Sequence, residues 1–149
     1  MQVIPATKDQ LPDLIAMFDA YRVWYRKPSD LEGAKDFLGK RLELEDSVIY
    51  IARDLEIGEA AGFTQLYPLF SSTRMRKLWL LNDLFVKPEH RGKGISKMLI
   101  EKAKELARNT DAAGIMLETE LTNTIGNQLY PSTGFDLNTE TNFYFWTNK

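Results

Sequence analysis

A strand, a glycine-rich turn and a helix follow one another near the middle of the chain, and this order constrains the fold most strongly. The nearly unbroken apolar run Leu78–Val86 predicts the strand, which ends before Pro88. Gly92 and Gly94 then form the turn. Apolar residues recur afterwards at helical spacing, at Ile95, Leu99, Ala103 and Leu106. The helix is therefore expected to begin at the glycines.

A helix that begins at these glycines offers a binding site for an anion. Backbone N–H groups in the first turn of a helix have no internal partner, and the helix dipole attracts phosphate. A side chain at Gly92 or Gly94 would hold a ligand away from these amides. The Walker spacing is absent, and Lys97 stands where a dinucleotide motif has its last glycine. A solvated loop with basic residues is the plain alternative.

The composition favours a single domain over residues 1–149. With 149 residues, 44% of them hydrophobic, the chain is long enough for one core and too short for two ordinary domains. A net charge of -2 and scattered basic residues argue against a nucleic-acid partner. The chain has no cysteine and one histidine, His90, which argues against disulfides, a thiol acyl-enzyme and a metal site. No leader or membrane-spanning pattern is seen, so we expect a cytoplasmic protein without a membrane partner.

The remaining patterns alternate between strands and helices, which predicts an α/β fold with a mixed sheet. Two capping patterns, Thr7-x-x-Gln10 and Ser29-x-x-Glu32, predict the starts of the first two helices. The other predicted strands lie near residues 2–6, 47–53, 60–67 and 114–120, near Phe135, and at Phe143–Thr147. A short helix is expected from about Thr124 to Leu129.

Two motifs in the second half of the chain resemble those of the GNAT superfamily of N-acetyltransferases. Arg91-x-x-Gly94-x-Ser96 resembles the family's acetyl-CoA-binding motif, with serine where glycine or alanine is usual. The later residues that resemble the second family motif are Asn123, Leu129-Tyr130 and Gly134-Phe135, with Gly126 where alanine is common. The resemblance is strong over residues 50–149, follows only the general layout before that, and is closest to the polyamine/histone-type branch.

This resemblance implies a single-domain GNAT-like fold with a mixed, mostly antiparallel sheet of about seven strands and about four helices. The fourth and fifth strands are expected to splay apart, with acetyl-CoA between them. A backbone N–H near Phe85 or Val86 would polarise the acetyl carbonyl. The residues expected to bind acetyl-CoA are Leu84, Phe85, Val86, Arg91, Gly92, Lys93, Gly94, Ile95, Ser96 and Asn123.

The resemblance also suggests catalytic residues. Tyr130 matches the family's general acid, since a phenol with a pKa of about 10 can protonate a departing thiolate. Pro131 follows it directly and disfavours helical geometry at Tyr130. Asp83 is the leading candidate for the base, with Glu118 and Glu120 behind it.

Aromatic residues on the first helix suggest where the acceptor binds. Tyr21, Trp24 and Tyr25 could form a wall that holds a cation, although Tyr21 and Tyr25 also continue the apolar stripe of a core-facing helix. Specificity is expected in the first two helices and in the loop from Pro68 to Lys77.

These expectations describe an acetyl-CoA-dependent N-acetyltransferase that acetylates a primary amine by direct attack. The expected acceptor is a polyamine, a small amine or a lysine side chain. Family members often dimerise through their closing strands, so we expect a homodimer. Two alternatives stay open: a CoA-binding sensor or interaction module without catalysis, and a nucleotide-binding protein that uses the same helix terminus.

Overall fold

Five strands lie side by side in the order in which they occur along the chain. The computed structural model describes all 149 residues. Neighbouring strands are antiparallel except for the last pair, which is parallel, so the sheet is mixed. The strands are β1 (Gln2–Pro5), β2 (Val48–Arg53), β3 (Ala60–Ser71), β4 (Arg76–Val86) and β5 (Ile115–Met116). The helices are α1 (Leu11–Trp24), α2 (Leu31–Leu44), α3 (Ile95–Asn109) and α4 (Thr124–Ser132).

The sheet separates two apolar layers because side chains of a strand alternate between its faces. On one face, Leu14 of α1 and Leu38 of α2 pack into a core cluster with Ile51, Phe63 and Phe85 of the strands. On the other face, α3 packs against β2, β3 and β4. The buried residues of α3 are Ile95, Leu99, Ile100, Ala103 and Ala107. They include three of the four apolar positions predicted from the helical spacing, and the fourth, Leu106, is half-buried.

The α/β class, the mixed sheet and the four helices confirm the predicted fold class, but the prediction of about seven strands is wrong. The segments near Phe135 and at Phe143–Thr147 contain no strand, and β5 covers only Ile115–Met116. A strand requires a hydrogen-bonded neighbour, which β-favouring composition does not supply. Phe143, Tyr144, Phe145 and Trp146 are accordingly exposed by 72–86%.

The chain divides into two compact units, Met1–Glu118 and Thr119–Lys149. The first unit contains the whole sheet together with α1, α2 and α3. The second contains α4 and the closing segment. None of the helices has both the length and the apolar character needed to cross a membrane.

Candidate active site

The outer edge of β4 lacks a strand partner over its second half. β5 pairs with β4 only through Trp79 with Ile115 and Leu80 with Met116. Residues 81–86 of β4 pair with β3 on one side, except at one bulged position. On the other side they pair with no strand. The pairing of β4 with β5 therefore ends at Leu80, because β5 itself ends at Met116. The splaying of the two strands stays a prediction.

A β-bulge lies at the start of this unpaired stretch. Leu66 of β3 pairs with Leu81, whereas the preceding Gln65 pairs with Asp83, so Asn82 is an extra residue in β4. An extra residue reverses the alternation of the side chains that follow it. Asp83 therefore lies on the same face as Phe85, which packs in the α1–α2 core.

The bulge also determines which backbone groups of β4 point away from β3. The N–H of Lys87 donates to the carbonyl of Ala61 at 2.9 Å, so Lys87 and Phe85 direct their backbone groups toward β3. By alternation, Leu84 and Val86 direct theirs toward the open edge. The carbonyl of Val86 confirms this direction because it accepts a hydrogen bond from Nε of Arg91 at 2.9 Å.

The first turn of α3 has no side-chain cap. Gly94 is its N-cap residue, and no acidic residue lies in the first turn. By contrast, Asp30 caps α2 by accepting from the N–H of Gly33 at 2.9 Å. Gly92 and Gly94 have φ angles of 75° and 78°, which disfavour side chains, and a Cβ at either position would meet no atom within 4 Å. Uncapped amides beside open space fit the phosphate groups of a nucleotide-type ligand.

Basic residues around this turn are held by backbone carbonyls. Nζ of Lys93 donates to the carbonyl of Glu89 at 3.2 Å. The Arg91 guanidinium lies 5.8 Å from the centre of the Phe85 ring. These contacts place two positive charges beside the uncapped end of α3, where they favour an anion.

His90 connects the turn to the beginning of β3. Its Nε2 lies 3.0 Å from Oε1 of Glu59, and this hydrogen bond is the main cause that holds the pKa of Glu59 below its usual value. Glu59, Glu89 and His90 place possible ligand atoms within 4.8 Å of one another. Nζ of Lys87 already lies 3.9 Å from Glu59, so a positive partner is present without a metal ion.

Asp83 lies in a buried hydrogen-bonding network. It is only 2% exposed; Oδ2 accepts from Nε2 of Gln65 at 2.6 Å, and Oδ1 accepts from Nδ2 of Asn82 at 3.0 Å. Burial raises the pKa of Asp83, and these hydrogen bonds oppose the rise. The side chain is thus almost fully buried, and its role as base stays a prediction. Glu118, the next candidate, is exposed.

The aromatic residues at the end of α1 form one connected group. Tyr25 contacts Tyr21 with ring centres 5.0 Å apart and Trp24 at 4.8 Å. Tyr21 also meets the core residue Phe63 at 6.1 Å. Trp24 is 48% exposed, so the group extends from the core to the surface. Tyr21 packs on the core, as the apolar stripe predicts, whereas the binding of a cation by this group stays a prediction.

Comparison with known proteins identifies the family. The model of the acetyltransferase (GNAT) family matches residues 14–135. The chain belongs to the GNAT family. The GNAT chain is 42% identical over 139 residues to the uncharacterized N-acetyltransferase YhfO of Bacillus subtilis, covering 93% of this chain and 92% of that protein.

Further comparisons agree with this assignment. The crystal structure of a probable acetyltransferase matches with a TM-score of 0.95 and 36% identity, covering 100% of this chain and 99% of the other. A metagenomic aminoglycoside acetyltransferase in complex with sisomicin matches with a TM-score of 0.81 over 99% of this chain and 96% of the other. At 19% identity, that likeness shows the fold alone. The GNAT chain is an N-acetyltransferase.

The second GNAT motif lies in the unit Thr119–Lys149. Asn123 caps α4 by accepting from the N–H of Gly126 at 3.1 Å, and its Nδ2 donates to Thr119. A Cβ at position 126 would lie 2.5 Å from Nδ2 of Asn123, so glycine makes room for this cap. The cap uses both ends of the Asn123 amide, and its predicted contact with acetyl-CoA stays a prediction.

Tyr130, the predicted acid, lies within α4. Pro131 does not end the helix, which continues to Ser132, three residues beyond the predicted end at Leu129. The Tyr130 carbonyl accepts from the N–H of Thr133 at 3.1 Å, which helps to close the last turn. The Tyr130 ring contacts that of Phe135 at 5.9 Å. Glu120, the last candidate base, is half-buried, and its carbonyl accepts from the N–H of Asn123.

Two features of the GNAT site were not predicted from the sequence. Gln65 is fully buried beside Asp83, and the hydroxyl of Tyr21 donates to the carbonyl of the bulged Asn82 at 3.1 Å. The sequence offers one indirect signal for the burial of Gln65. A glutamine within the apolar strand pattern of residues 60–67 needs a buried polar partner.

Proposed function

We propose that this GNAT chain transfers an acetyl group from acetyl-CoA to a primary amine, by direct attack and without an acyl-enzyme. The observation that carries the proposal is the meeting of an unpaired β4 edge with the uncapped start of α3. One element offers backbone groups to an extended ligand, and the other offers amides to its phosphates. Acetyl-CoA would supply the thioester, and this chain would supply the binding groups.

The proposed binding residues fall into two sets. Amides at the start of α3, including those of Ile95 and Ser96, would bind the pyrophosphate, with Arg91 and Lys93 adding positive charge. Ser96 stands where the family pattern has glycine or alanine. Its side chain is small enough for the pyrophosphate to approach these amides. The remaining residues proposed to contact acetyl-CoA are Leu84, Phe85, Val86, Gly92, Gly94 and Asn123.

The proposed group for polarising the acetyl carbonyl is the backbone N–H of Val86. The sequence is compatible with either Phe85 or Val86 in this role. The alternation of β4 favours Val86, because the N–H of Phe85 is directed toward β3. A fixed backbone donor stabilises developing negative charge without reorganising. The apolar side chains at these positions are compatible with this role.

Proton transfer requires an acid for the thiolate and a base for the amine. We propose that Tyr130 is the acid, because an uncharged phenol holds its proton at neutral pH and can donate it. An alkyl amine is mostly protonated near pH 7, so its proton must leave before attack. The sequence makes Asp83 the leading candidate for this base, ahead of Glu118 and Glu120, and the kcat of an Asp83→Asn variant distinguishes this role from a purely positioning one.

We propose that the acceptor is a cationic amine, such as a polyamine, a small amine or a lysine side chain. The open Trp24 ring beside Tyr25 and Tyr21 supports this class, because aromatic faces attract cations. The polyamine/histone-type branch is the finer proposal. The bulged Asn82 is uncharged, so selectivity for a polyamine would have to come from other residues.

A homodimer in the cytoplasm completes the proposal. The exposed aromatic side chains of residues 143–146 support association, since large apolar groups are seldom left open in a monomer. Light scattering on the purified protein at several concentrations tests this directly. A particle with the mass of one chain at all concentrations would exclude the dimer.

An acetyl-transfer assay with a broad amine panel tests the function. The panel contains polyamines, amino acids, aminoglycosides and lysine peptides, and each product is identified by mass spectrometry. We expect one class to gain a single acetyl group as CoA is released. Tight CoA binding without transfer would favour a sensor module, and competition by ATP would favour a nucleotide-binding protein.

A further inference from the structure

A buried polar pair joins β3 to β4 directly after the bulge. Gln65 and Asp83 are cross-strand partners, and both side chains are almost fully buried. Nε2 of Gln65 donates to Oδ2 of Asp83 at 2.6 Å, and Oγ of Ser47 donates to Oε1 of Gln65 at 2.9 Å. Nδ2 of the bulged Asn82 donates to the second carboxylate oxygen. Each of these donors therefore meets an acceptor.

Gln65 and Asp83 form the first residue pair after the bulge, where the pairing register between β3 and β4 changes. Before the bulge, Leu81 pairs with Leu66; after it, Asp83 pairs with Gln65. A slip of one residue would turn every later side chain to the opposite face. It would also point the backbone of Phe85, instead of Val86, toward the open edge. A specific polar contact at the first pair after the bulge penalises such a slip, because slipping leaves buried polar groups without partners.

We propose, on the basis of the proposed function, that Asp83 and Gln65 are positioning residues that hold β4 in its bulged register. Their contact keeps the amides of Leu84 and Val86 directed toward the acetyl-CoA side of the strand. In this role Asp83 touches neither the amine nor the thioester, which agrees with its burial. It acts through the backbone that follows it.

In Asp83→Asn the side chain keeps only one acceptor oxygen, whereas the carboxylate has two. Either Gln65 or Asn82 therefore loses its acceptor. In the present orientation of Gln65, one amide N–H group of the new residue faces another donor. Turning the Gln65 amide relieves this only if the Ser47 hydroxyl accepts instead of donating, so we expect the contact that fixes the register to weaken. We expect Asp83→Asn to lower the affinity for acetyl-CoA about tenfold, which is about 1.4 kcal/mol. The exchange rate of the Phe85 amide should rise, because its bond to β3 depends on the register.

The double variant Asp83→Asn with Gln65→Glu exchanges the two groups between the strands. The new carboxylate at position 65 accepts from the new amide at position 83, and it still accepts from Ser47. The remaining oxygen at position 83 still accepts from Asn82. We expect this variant to recover acetyl-CoA affinity to within about threefold of the original protein and to recover slow exchange at Phe85.

The double variant separates positioning from base chemistry. If Asp83 is the base, Asp83→Asn should bind acetyl-CoA normally but lose kcat, and moving the carboxylate to position 65 should not restore turnover. That result would overturn the proposal. Should the single variant not fold, the double variant alone decides: native affinity and exchange support the register contact, and their loss contradicts it.

The control is Asp13→Asn, which removes a carboxylate on α1 that forms an ion pair with Arg53 on β2. It should leave acetyl-CoA affinity unchanged. The amide exchange of Phe85 and Val86 needs no substrate, so it tests the register even if the proposed function fails. Absence of acetyl-CoA binding in the original protein would reject the proposed function. Unchanged exchange at Phe85 in Asp83→Asn would reject the register contact.

Discussion

The hydroxyl of Tyr21 on α1 donates a hydrogen bond of 3.1 Å to the backbone carbonyl of Asn82, the bulged residue of β4. A bulged residue has no counterpart on the neighbouring strand, so its polar backbone groups need other partners. Tyr21 also contacts Tyr25, which continues toward the open ring of Trp24. The helix proposed to bind the amine is thus attached to the strand proposed to bind acetyl-CoA.

Tyr21→Phe should loosen this attachment while keeping the aromatic packing. We expect the free energy of unfolding to fall by about 0.5 kcal/mol, because one solvent-exposed hydrogen bond is lost. The KM for acetyl-CoA should rise about fivefold as the bulge becomes less defined. Steady-state kinetics and urea unfolding measure the two effects. The control is Tyr144→Phe, which changes an exposed side chain in the same way. Equal KM values and equal free energies of unfolding in the two variants would contradict the proposed attachment of α1 to β4 by Tyr21.

The local parts of this site could be predicted from the sequence, and the long-range parts could not. The turn at Gly92 and Gly94 is encoded by adjacent residues, and α3 begins as predicted. The bulge at Asn82 depends on how two strands pair, which no local pattern specifies. The bond from Tyr21 joins positions 61 residues apart, so it follows from tertiary packing alone.

Gly94→Glu should abolish acetyl-CoA binding. The new carboxylate would repel the phosphates at the uncapped end of α3, and the φ of 78° would strain any side chain there. Gly58→Glu is the matched control, because Gly58 has a φ of 72° in the turn between β2 and β3. Calorimetry should show binding in the control only. Equal affinity in Gly94→Glu and the original protein would remove the α3 terminus from the binding site.

Tyr130→Phe should lower kcat about a hundredfold and leave the KM for acetyl-CoA nearly unchanged. The hydroxyl is proposed to donate its proton only as the thiolate leaves, so its loss affects turnover more than binding. The ring contact with Phe135 remains in the variant, which preserves the packing of α4. A fully active Tyr130→Phe protein would exclude this residue as the acid.

Asp19 should make stability depend on acid pH. Its carboxylate accepts from Oγ of Ser29 and from the N–H of Asp30, both at 2.7 Å. These bonds, led by that of Ser29, hold the pKa of Asp19 below its usual value. A lowered folded-state pKa gives stability that is complete above the unfolded-state pKa and is lost as pH falls through the folded-state pKa.

Asp19→Asn should therefore be less stable than the original protein near pH 7, with a gap that narrows below about pH 4. Urea unfolding at a series of pH values measures the gap. A difference that stays constant across the series would show that the charge of Asp19 does not contribute.

The same region shows a limit of capping patterns. The sequence predicted Ser29 as the cap of α2, but Asp30 is the N-cap residue because the Ser29 hydroxyl donates to Asp19. Both residues suit the position, and only the fold selects between them. At Phe143–Thr147, aromatic composition predicted a strand, but the structure provides no partner strand for it.

Acetyl transfer itself is tested by incubating the protein with acetyl-CoA and the amine panel in one reaction and measuring released CoA thiol and acetylated product together. We expect equal amounts of both for at least one primary amine. We also expect no acetylated protein to accumulate when the amine is withheld, because attack is direct. Binding of CoA without product from any amine, or an acetylated protein that passes its acetyl group on, would contradict the account.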